Sequence, residues 1–212
     1  MTQDEGLELF EACEHSHVSK RFRLRDKALL AVLYSCGLPR NEAVGLNLSD
    51  IDFENKQIHI RNGSRNKRRK YPYVAINDFN LNLIEEYILK SRPQFHNSHL
   101  SDALCVNKNG TRMLGKSLAD RLKAIVKATE NEAIIDKNIS PHNLRHSVAT
   151  HLLQRGLSLE EVSKFLGHNS LESTQIYTPR CRTIASCGNP RRDIQLFQFT
   201  SKTPQRFYRV VS

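Results

Sequence analysis

Apolar side chains recur along the chain at helical spacing in several segments and alternate with polar ones in a few short runs. The strongest helical pattern covers residues 24–35, and weaker ones cover 4–15, 40–46, 77–89, 114–129, 141–154 and 159–166. Runs at 51–53, 56–61 and 71–76 predict short strands, and a fourth is predicted at 103–106. The pattern predicts an α+β fold, mainly helical, with a small antiparallel three-stranded sheet.

Turn-forming and capping residues divide these segments. Gly37-Leu38-Pro39 ends the second helix, and Pro39 is predicted at the first position of the next one. Asn62-Gly63-Ser64 predicts the turn between the second and third strands. Ser140 and Pro141 predict a sharp helix start, since Ser caps helices and Pro is tolerated at their first position.

Composition narrows the class of protein. The 212 residues suit one domain or slightly more, and 39% hydrophobic content is enough for a core. A net charge of +10 points to a polyanionic partner. No apolar run approaches the length of about 18 residues that a membrane span needs, and the polar N-terminus does not resemble a signal peptide. Five cysteines without a CxxC pair, with Cys36 and Cys105 in apolar runs, indicate buried free thiols and a reducing cytoplasm.

The candidate chemistry is concentrated between Ser140 and Tyr177. His142 and Arg145 stand three residues apart and therefore share a helix face. His142 lies in the predicted first turn, where free N–H groups and the helix dipole favour an anion. His168 and Tyr177 follow, so that an anion-binding arginine, two histidines and a nucleophile candidate occur in one window.

This window resembles the signature of the tyrosine site-specific recombinases, the phage-integrase and Xer family. The family's His-x-x-Arg box falls on His142 and Arg145, its Leu-Gly-His box on 166–168, and its nucleophile on Tyr177. The resemblance begins near residue 4 and ends at residue 178. It implies the fold of the family's catalytic domain and the activity of a DNA recombinase or integrase, acting on double-stranded DNA and self-associating there.

The resemblance also implies the chemistry. Tyr177 would attack a scissile phosphate, form a 3′-phosphotyrosyl link and release a 5′-hydroxyl. Arg145, His142 and His168 would stabilise the phosphate charge and assist proton transfer. Because the ester keeps the bond energy, no ATP, cofactor or metal is expected, and no metal-ligand spacing occurs in the sequence. His146 and His151 are predicted to be structural, and Ser147 is predicted to pack within its helix.

Two family positions are altered. The register set by Gly37-Leu38 and Glu42 places Pro39 where the family has its first catalytic arginine, and Arg40 stands one residue later. One helical step turns a side chain by about 100°, so Arg40 is the catalytic candidate only if the helix start is remodelled. The general-acid lysine has no ungapped counterpart, because the turn between the strands is one residue longer. Lys67 is the first choice for this role and Arg65 the second.

DNA contact is expected from the basic turn and from the basic helix after residue 114. The predicted contact residues are Arg65, Arg68, Arg69, Lys70, Lys116, Arg121 and Lys123. Residues 1–178 are predicted to form the catalytic domain and residues 179–212 a basic tail without the family pattern. The family's N-terminal core-binding domain is expected to be absent.

Two other functions compete with recombination. Pro39, the irregular basic turn and the missing N-terminal domain favour a DNA-binding protein of the same fold with little or no cleavage. A type IB topoisomerase shares the chemistry, but the compact size and the integrase-like boxes argue against it. The residues leave phage integration, transposon movement, inversion and chromosome-dimer resolution open.

Overall fold

A computed structural model describes residues 1–61 and 71–167, and helices dominate the fold within these ranges. Three short strands form an antiparallel sheet in the order β1-β2-β3. These observations confirm the predicted fold class. The elements are α1 (Gln3–Ala12), α2 (Lys20–Leu30), α3 (Arg40–Gly45), β1 (Ile51–Asp52), β2 (Gln57–His59), β3 (Tyr73–Ala75), α4 (Asp78–Glu86), α5 (Gly115–Lys127), α6 (Glu132–Ile135), α7 (Pro141–Gln154) and α8 (Leu159–Leu166).

The sheet buries one face and exposes the other. Ile58 on the central strand pairs with Ile51 on one side and Val74 on the other, and all three are buried. The opposite face carries His59 and Tyr73, which pair across the strands and stack with ring centroids 4.8 Å apart. This alternation of buried and exposed positions is the period-two pattern on which the strand prediction rested.

Two helices continue beyond their α-helical part as π-helical turns. Ala31–Ser35 extends α2, and Tyr87–Ser91 extends α4. Both turns belong to the core, since Ala31–Ser35 is buried throughout and Tyr87 is fully buried. The helix predicted over residues 24–35 therefore exists, but it begins at Lys20 and ends in a wider turn at Ser35.

Local capping chemistry fixes the start of α7. The Ser140 hydroxyl accepts a hydrogen bond from the Asn143 backbone N–H at 3.2 Å, and Pro141 occupies the first helical position, as predicted. The prediction for α3 is wrong by one residue. Pro39 has extended backbone angles and is the N-cap, so the first helical residue is Arg40.

The strand predicted at 103–106 is also wrong. Ala103 forms an isolated bridge with Asn47, whereas Val106 forms one with Arg112. The Leu104 N–H donates to the Leu46 carbonyl at 2.9 Å. The beginning of the segment therefore pairs with the chain near Asn47 and its end with the chain near Arg112, and neither pairing is long enough to make a strand. The apolar character of the segment reflects burial rather than sheet pairing.

The short helix α6 was not predicted, because four residues are too few to show a helical period.

Cys36 and Cys105 are free and buried, as predicted, and so is Cys13. Burial raises the pKa of the Cys105 thiol to about 11, which keeps it protonated near neutral pH. Among the described residues, no helix is long and apolar enough to cross a membrane.

Candidate active site

The first turns of α7 carry the two predicted anion-binding side chains at different depths. His142 is exposed at the second helical position. Arg145, one turn later, is buried, with 9% of its surface exposed. A buried guanidinium has to be hydrogen-bonded, so its partners define the site.

Arg145 is held by two backbone carbonyls from distant parts of the chain. Its Nη1 donates to the carbonyl oxygen of Gly37 at 2.5 Å, and its Nη2 donates to that of Leu166 at 2.7 Å. Leu166 is the last residue of α8, so its carbonyl is one that helix geometry leaves without an intrahelical partner. Arg145 thus ties together the three segments that carry the family-like motifs.

A glycine stands beside each carbonyl contact for a conformational reason. Gly37 has a φ of +59° and Gly167 a φ of +68°, in the left-handed region that other residues rarely adopt. Gly167 is the C-cap of α8, and its N–H donates to the Lys164 carbonyl. A Cβ on Gly37 would lie 3.0 Å from Cδ2 of Leu166. The glycines of the Gly-Leu and Leu-Gly-His motifs are therefore requirements of the backbone around Arg145.

Arg40 is the residue that was predicted to replace the family's first arginine. It is exposed at the start of α3. A Cβ built on Gly115, the first residue of α5, would lie 3.0 Å from Nε and 3.2 Å from Cδ of Arg40. The Arg40 side chain therefore runs along the N-terminus of α5. Pro39, which was predicted to stand in the family's arginine position, lies only two residues from the Gly37 carbonyl that holds Arg145.

Several predicted site residues lie outside the described residues. These are Tyr177, His168, Lys67, Arg65, Arg68, Arg69 and Lys70. Their roles stay predictions. Leu166 and Gly167 are described and directly precede His168 along the chain. The structure therefore defines the end of α8, to which His168 is joined through Gly167.

Helix α5 separates the predicted DNA-binding residues into two groups. Lys116 and Lys123 are exposed, as is Lys127. Lys123 and Lys127 follow Lys116 by seven and eleven residues. At about 100° per residue, the three side chains point within about 40° of one another. They form one basic face, defined here as the α5 lysine face.

Arg121 lies on the other side of α5 and is directed into the protein. Its Nε donates to Oδ1 of Asp26 at 3.2 Å, and Nη2 contacts the same carboxylate and the Ser16 carbonyl. Asp26 is fully buried. The predicted DNA contact of Arg121 is therefore replaced by an internal ion pair that joins α5 to α2. The sequence held a signal for this, because Arg121 stands three residues after buried Leu118 and four before buried Ile125.

His151 and Ser147 have structural contacts within the protein, as predicted. His151 is buried; its Nε2–H donates to the Met1 carbonyl at 2.9 Å, and Nδ1 lies 3.4 Å from the Tyr34 hydroxyl. Burial lowers the pKa of His151 and favours the neutral ring. The Ser147 hydroxyl donates to the Asn143 carbonyl one turn earlier. Within the described ranges, no cluster of three His, Cys, Asp or Glu side chains has a geometry that could hold a metal ion.

Solved tyrosine recombinases share this helical fold with its small sheet. The crystal structure of the XerH site-specific recombinase, bound to a palindromic difH substrate in a post-cleavage complex, aligns with a TM-score of 0.70. It is 27% identical, over 86% of this chain and 50% of that one. Residues 1–181 match the phage integrase family, and the chain belongs to that family.

Sequence relatives agree with this assignment. The tyrosine recombinase XerC of Natranaerobius thermophilus is 40% identical over 161 residues, which are 74% of this chain and 51% of that protein. The tyrosine recombinase XerD of Corynebacterium glutamicum is 36% identical over 170 residues, 80% of this chain and 53% of that protein. The chain therefore spans about half the length of these relatives.

Proposed function

We propose that this chain is a site-specific DNA recombinase that cleaves and rejoins strands of double-stranded DNA through a 3′-phosphotyrosyl intermediate. The observation that carries the proposal is Arg145, a buried guanidinium fixed between the Gly-Leu and Leu-Gly-His segments. Membership of the phage integrase family and relatives named tyrosine recombinases support the same chemistry.

In this proposal each residue meets one demand of phosphodiester transfer. Arg145 and His142 stabilise the charge that grows on the nonbridging oxygens, and a guanidinium suits this because it is planar and permanently charged. The Tyr177 hydroxyl gives up its proton with the assistance of His168, its oxygen attacks phosphorus, and the bond to the 5′-oxygen breaks. Lys67 supplies the proton for that leaving oxygen. Rejoining is the reverse reaction, in which a 5′-hydroxyl displaces the tyrosine.

Contact with the DNA backbone is assigned to two basic regions. The first is the α5 lysine face, which is exposed along one side of the helix. The second is the run that contains Arg65, Arg68, Arg69 and Lys70. Contacts to phosphate position a protein on DNA without selecting the sequence, so target choice is left to other contacts. We further infer that the protein self-associates on DNA and works in the cytoplasm.

The competing function is that of a DNA-binding protein of the same fold with impaired cleavage, and it depends on the position of Arg40. The family's first arginine is replaced by Pro39, and Arg40 runs along the N-terminus of α5. Loss of one group that stabilises the developing charge commonly slows an enzyme by about 100- to 1,000-fold. The catalytic role of Arg40 stays a prediction, and it would require the Arg40 side chain to leave the N-terminus of α5.

A nicked suicide substrate separates the two functions. In such a duplex the cleaved fragment diffuses away, so a covalent protein–DNA adduct accumulates even when cleavage is slow. We expect a recombinase to form an adduct that resists denaturing electrophoresis. Tyr177→Phe is the matched control, because it removes the attacking oxygen and should keep DNA affinity.

Three results of this experiment are informative. An adduct in the wild-type protein only supports the recombinase. A gel shift without any adduct assigns the chain to the DNA-binding function. An adduct that persists in Tyr177→Phe removes Tyr177 from its proposed role.

A further inference from the structure

We propose that Gly37 is a positioning residue for Arg145. Its left-handed backbone and its lack of a Cβ allow its own carbonyl and that of Leu166 to fix the guanidinium in the orientation that receives a phosphate. The inference rests on the proposed function for its catalytic consequence. The geometry on which it depends is that of the two carbonyl contacts, at 2.5 Å and 2.7 Å.

The two carbonyls hold different nitrogens of one planar group. With Nη1 on Gly37 and Nη2 on Leu166, the guanidinium cannot rotate about its long axis without losing a contact. A planar group anchored at two points has a defined direction for its N–H bonds, which a single anchor would not give. The position of each carbonyl therefore sets the orientation of Arg145.

Adding a methyl group at position 37 would shift the first anchor and crowd the side chain of the residue that provides the second. The φ of +59° is costly for any residue with a Cβ, so the Gly37 peptide, and with it the first carbonyl, would shift. The added Cβ would also lie 3.0 Å from Cδ2 of Leu166, the residue that provides the second carbonyl. The next neighbour, Cγ1 of Val148, is 3.5 Å away, at ordinary contact distance, so the strain falls mainly on Leu166.

The chain offers a matched control for the backbone strain alone. Gly156, just beyond the end of α7, has a φ of +92° and would find no heavy atom within 4 Å of an added Cβ. Gly156→Ala therefore imposes a left-handed penalty without touching either carbonyl contact. A second variant at the site, Gly37→Asn, keeps the added Cβ but places a residue that tolerates left-handed angles better than Ala. Gly37→Asn replaces Gly37→Ala in both measurements if the alanine variant folds poorly.

The first measurement needs no catalysis. In ¹⁵N-labelled protein, the Nη–H signals of Arg145 are assigned by their loss in Arg145→Lys, and their hydrogen exchange is measured without DNA. We expect slow exchange in the wild type and in Gly156→Ala, and exchange at least about tenfold faster in Gly37→Ala or Gly37→Asn. An unchanged signal in a folded position-37 variant would overturn the proposal.

The second measurement is the rate of adduct formation on two suicide substrates. One has a normal scissile phosphate and the other a methylphosphonate, which lacks the charge that a guanidinium neutralises. We expect Gly37→Ala to slow cleavage of the normal substrate by about 10- to 100-fold at unchanged DNA affinity, since a displacement near 1 Å costs that order of rate. On the neutral substrate the deficit should shrink to less than about threefold, because charge neutralisation no longer contributes.

The outcomes distinguish this inference from the proposed function. Equal slowing on both substrates would mean that Gly37 acts through the general fold, and it would contradict positioning of Arg145. If the wild-type protein forms no adduct, the proposed function is contradicted. The exchange measurement would still decide whether Gly37 positions Arg145.

Discussion

Arg121 and Lys123 stand two residues apart on α5, yet they lie on opposite sides of the helix. Lys123 is exposed on the α5 lysine face, whereas Arg121 pairs with buried Asp26. Two helical steps separate their directions by about 200°. Replacing each by Ala should therefore produce opposite results: Arg121→Ala should affect stability, and Lys123→Ala should affect DNA binding.

The size of the stability effect follows from what Asp26 would lose. Removing one partner of a buried ion pair typically costs about 3–5 kcal/mol, because the remaining charge is left buried. Asp26 would keep the Ser16 hydroxyl at 2.8 Å and the Arg25 guanidinium at 3.5 Å, and the Arg121 side chain is 20% exposed. We therefore expect Arg121→Ala to lower the free energy of unfolding by about 2–3 kcal/mol. Lys123→Ala, which removes an exposed side chain, should change it by less than about 0.5 kcal/mol.

Urea unfolding measures the first effect, and DNA binding as a function of salt measures the second. Each neutralised phosphate contributes roughly 0.9 to the slope of log K against log salt on duplex DNA. Lys123→Ala should flatten that slope by about one unit, while folded Arg121→Ala should keep it. A stable Arg121→Ala protein with a flattened slope would refute the reasoning, because it would place the arginine on DNA.

Three further predictions concern the site, the basic run and pH. Pro39→Arg should raise adduct yield by restoring a guanidinium near the Gly37 carbonyl; no gain in a variant with a normal melting curve would indicate that Arg40 already has this role. Replacing Arg68 and Arg69 together by Ala should flatten the salt slope by up to about two units, almost equally for any DNA sequence, and an unchanged slope would exclude the pair from the interface. Because burial lowers the pKa of His151, the unfolded chain binds a proton more readily, so the free energy of unfolding should fall as pH drops below about 6.5. Urea titrations of His151→Asn should show a weaker fall, and an equal fall would contradict the assignment.

Features with local causes were predictable from the sequence. The bounds of α7 match because Ser140 and Pro141 define its start, and its end precedes Gly156. His142 and Arg145 share a face because their spacing alone requires it. The three strands and the amphipathic α5 follow from residue periodicity in the same way.

Features with long-range causes were not predictable. Nothing near Ala103 in the sequence shows that its neighbours pair with two different short segments. The partner of Arg121 lies 95 residues away, and that of Arg145 lies 108 residues away. A glycine that ends a helix and a glycine whose carbonyl holds a distant arginine look the same in one sequence, because only the folded contact distinguishes them.

The two carbonyls that hold Arg145 also set an order of events during synthesis. The Gly37 carbonyl precedes Arg145 in the chain, whereas the Leu166 carbonyl is made 21 residues later. At a translation rate of about 5–20 residues per second, the guanidinium exists for one to several seconds before its second anchor. A nascent chain that has reached only α7 thus carries the arginine with one of its two anchors, and the guanidinium gains its final orientation only when the end of α8 has been added.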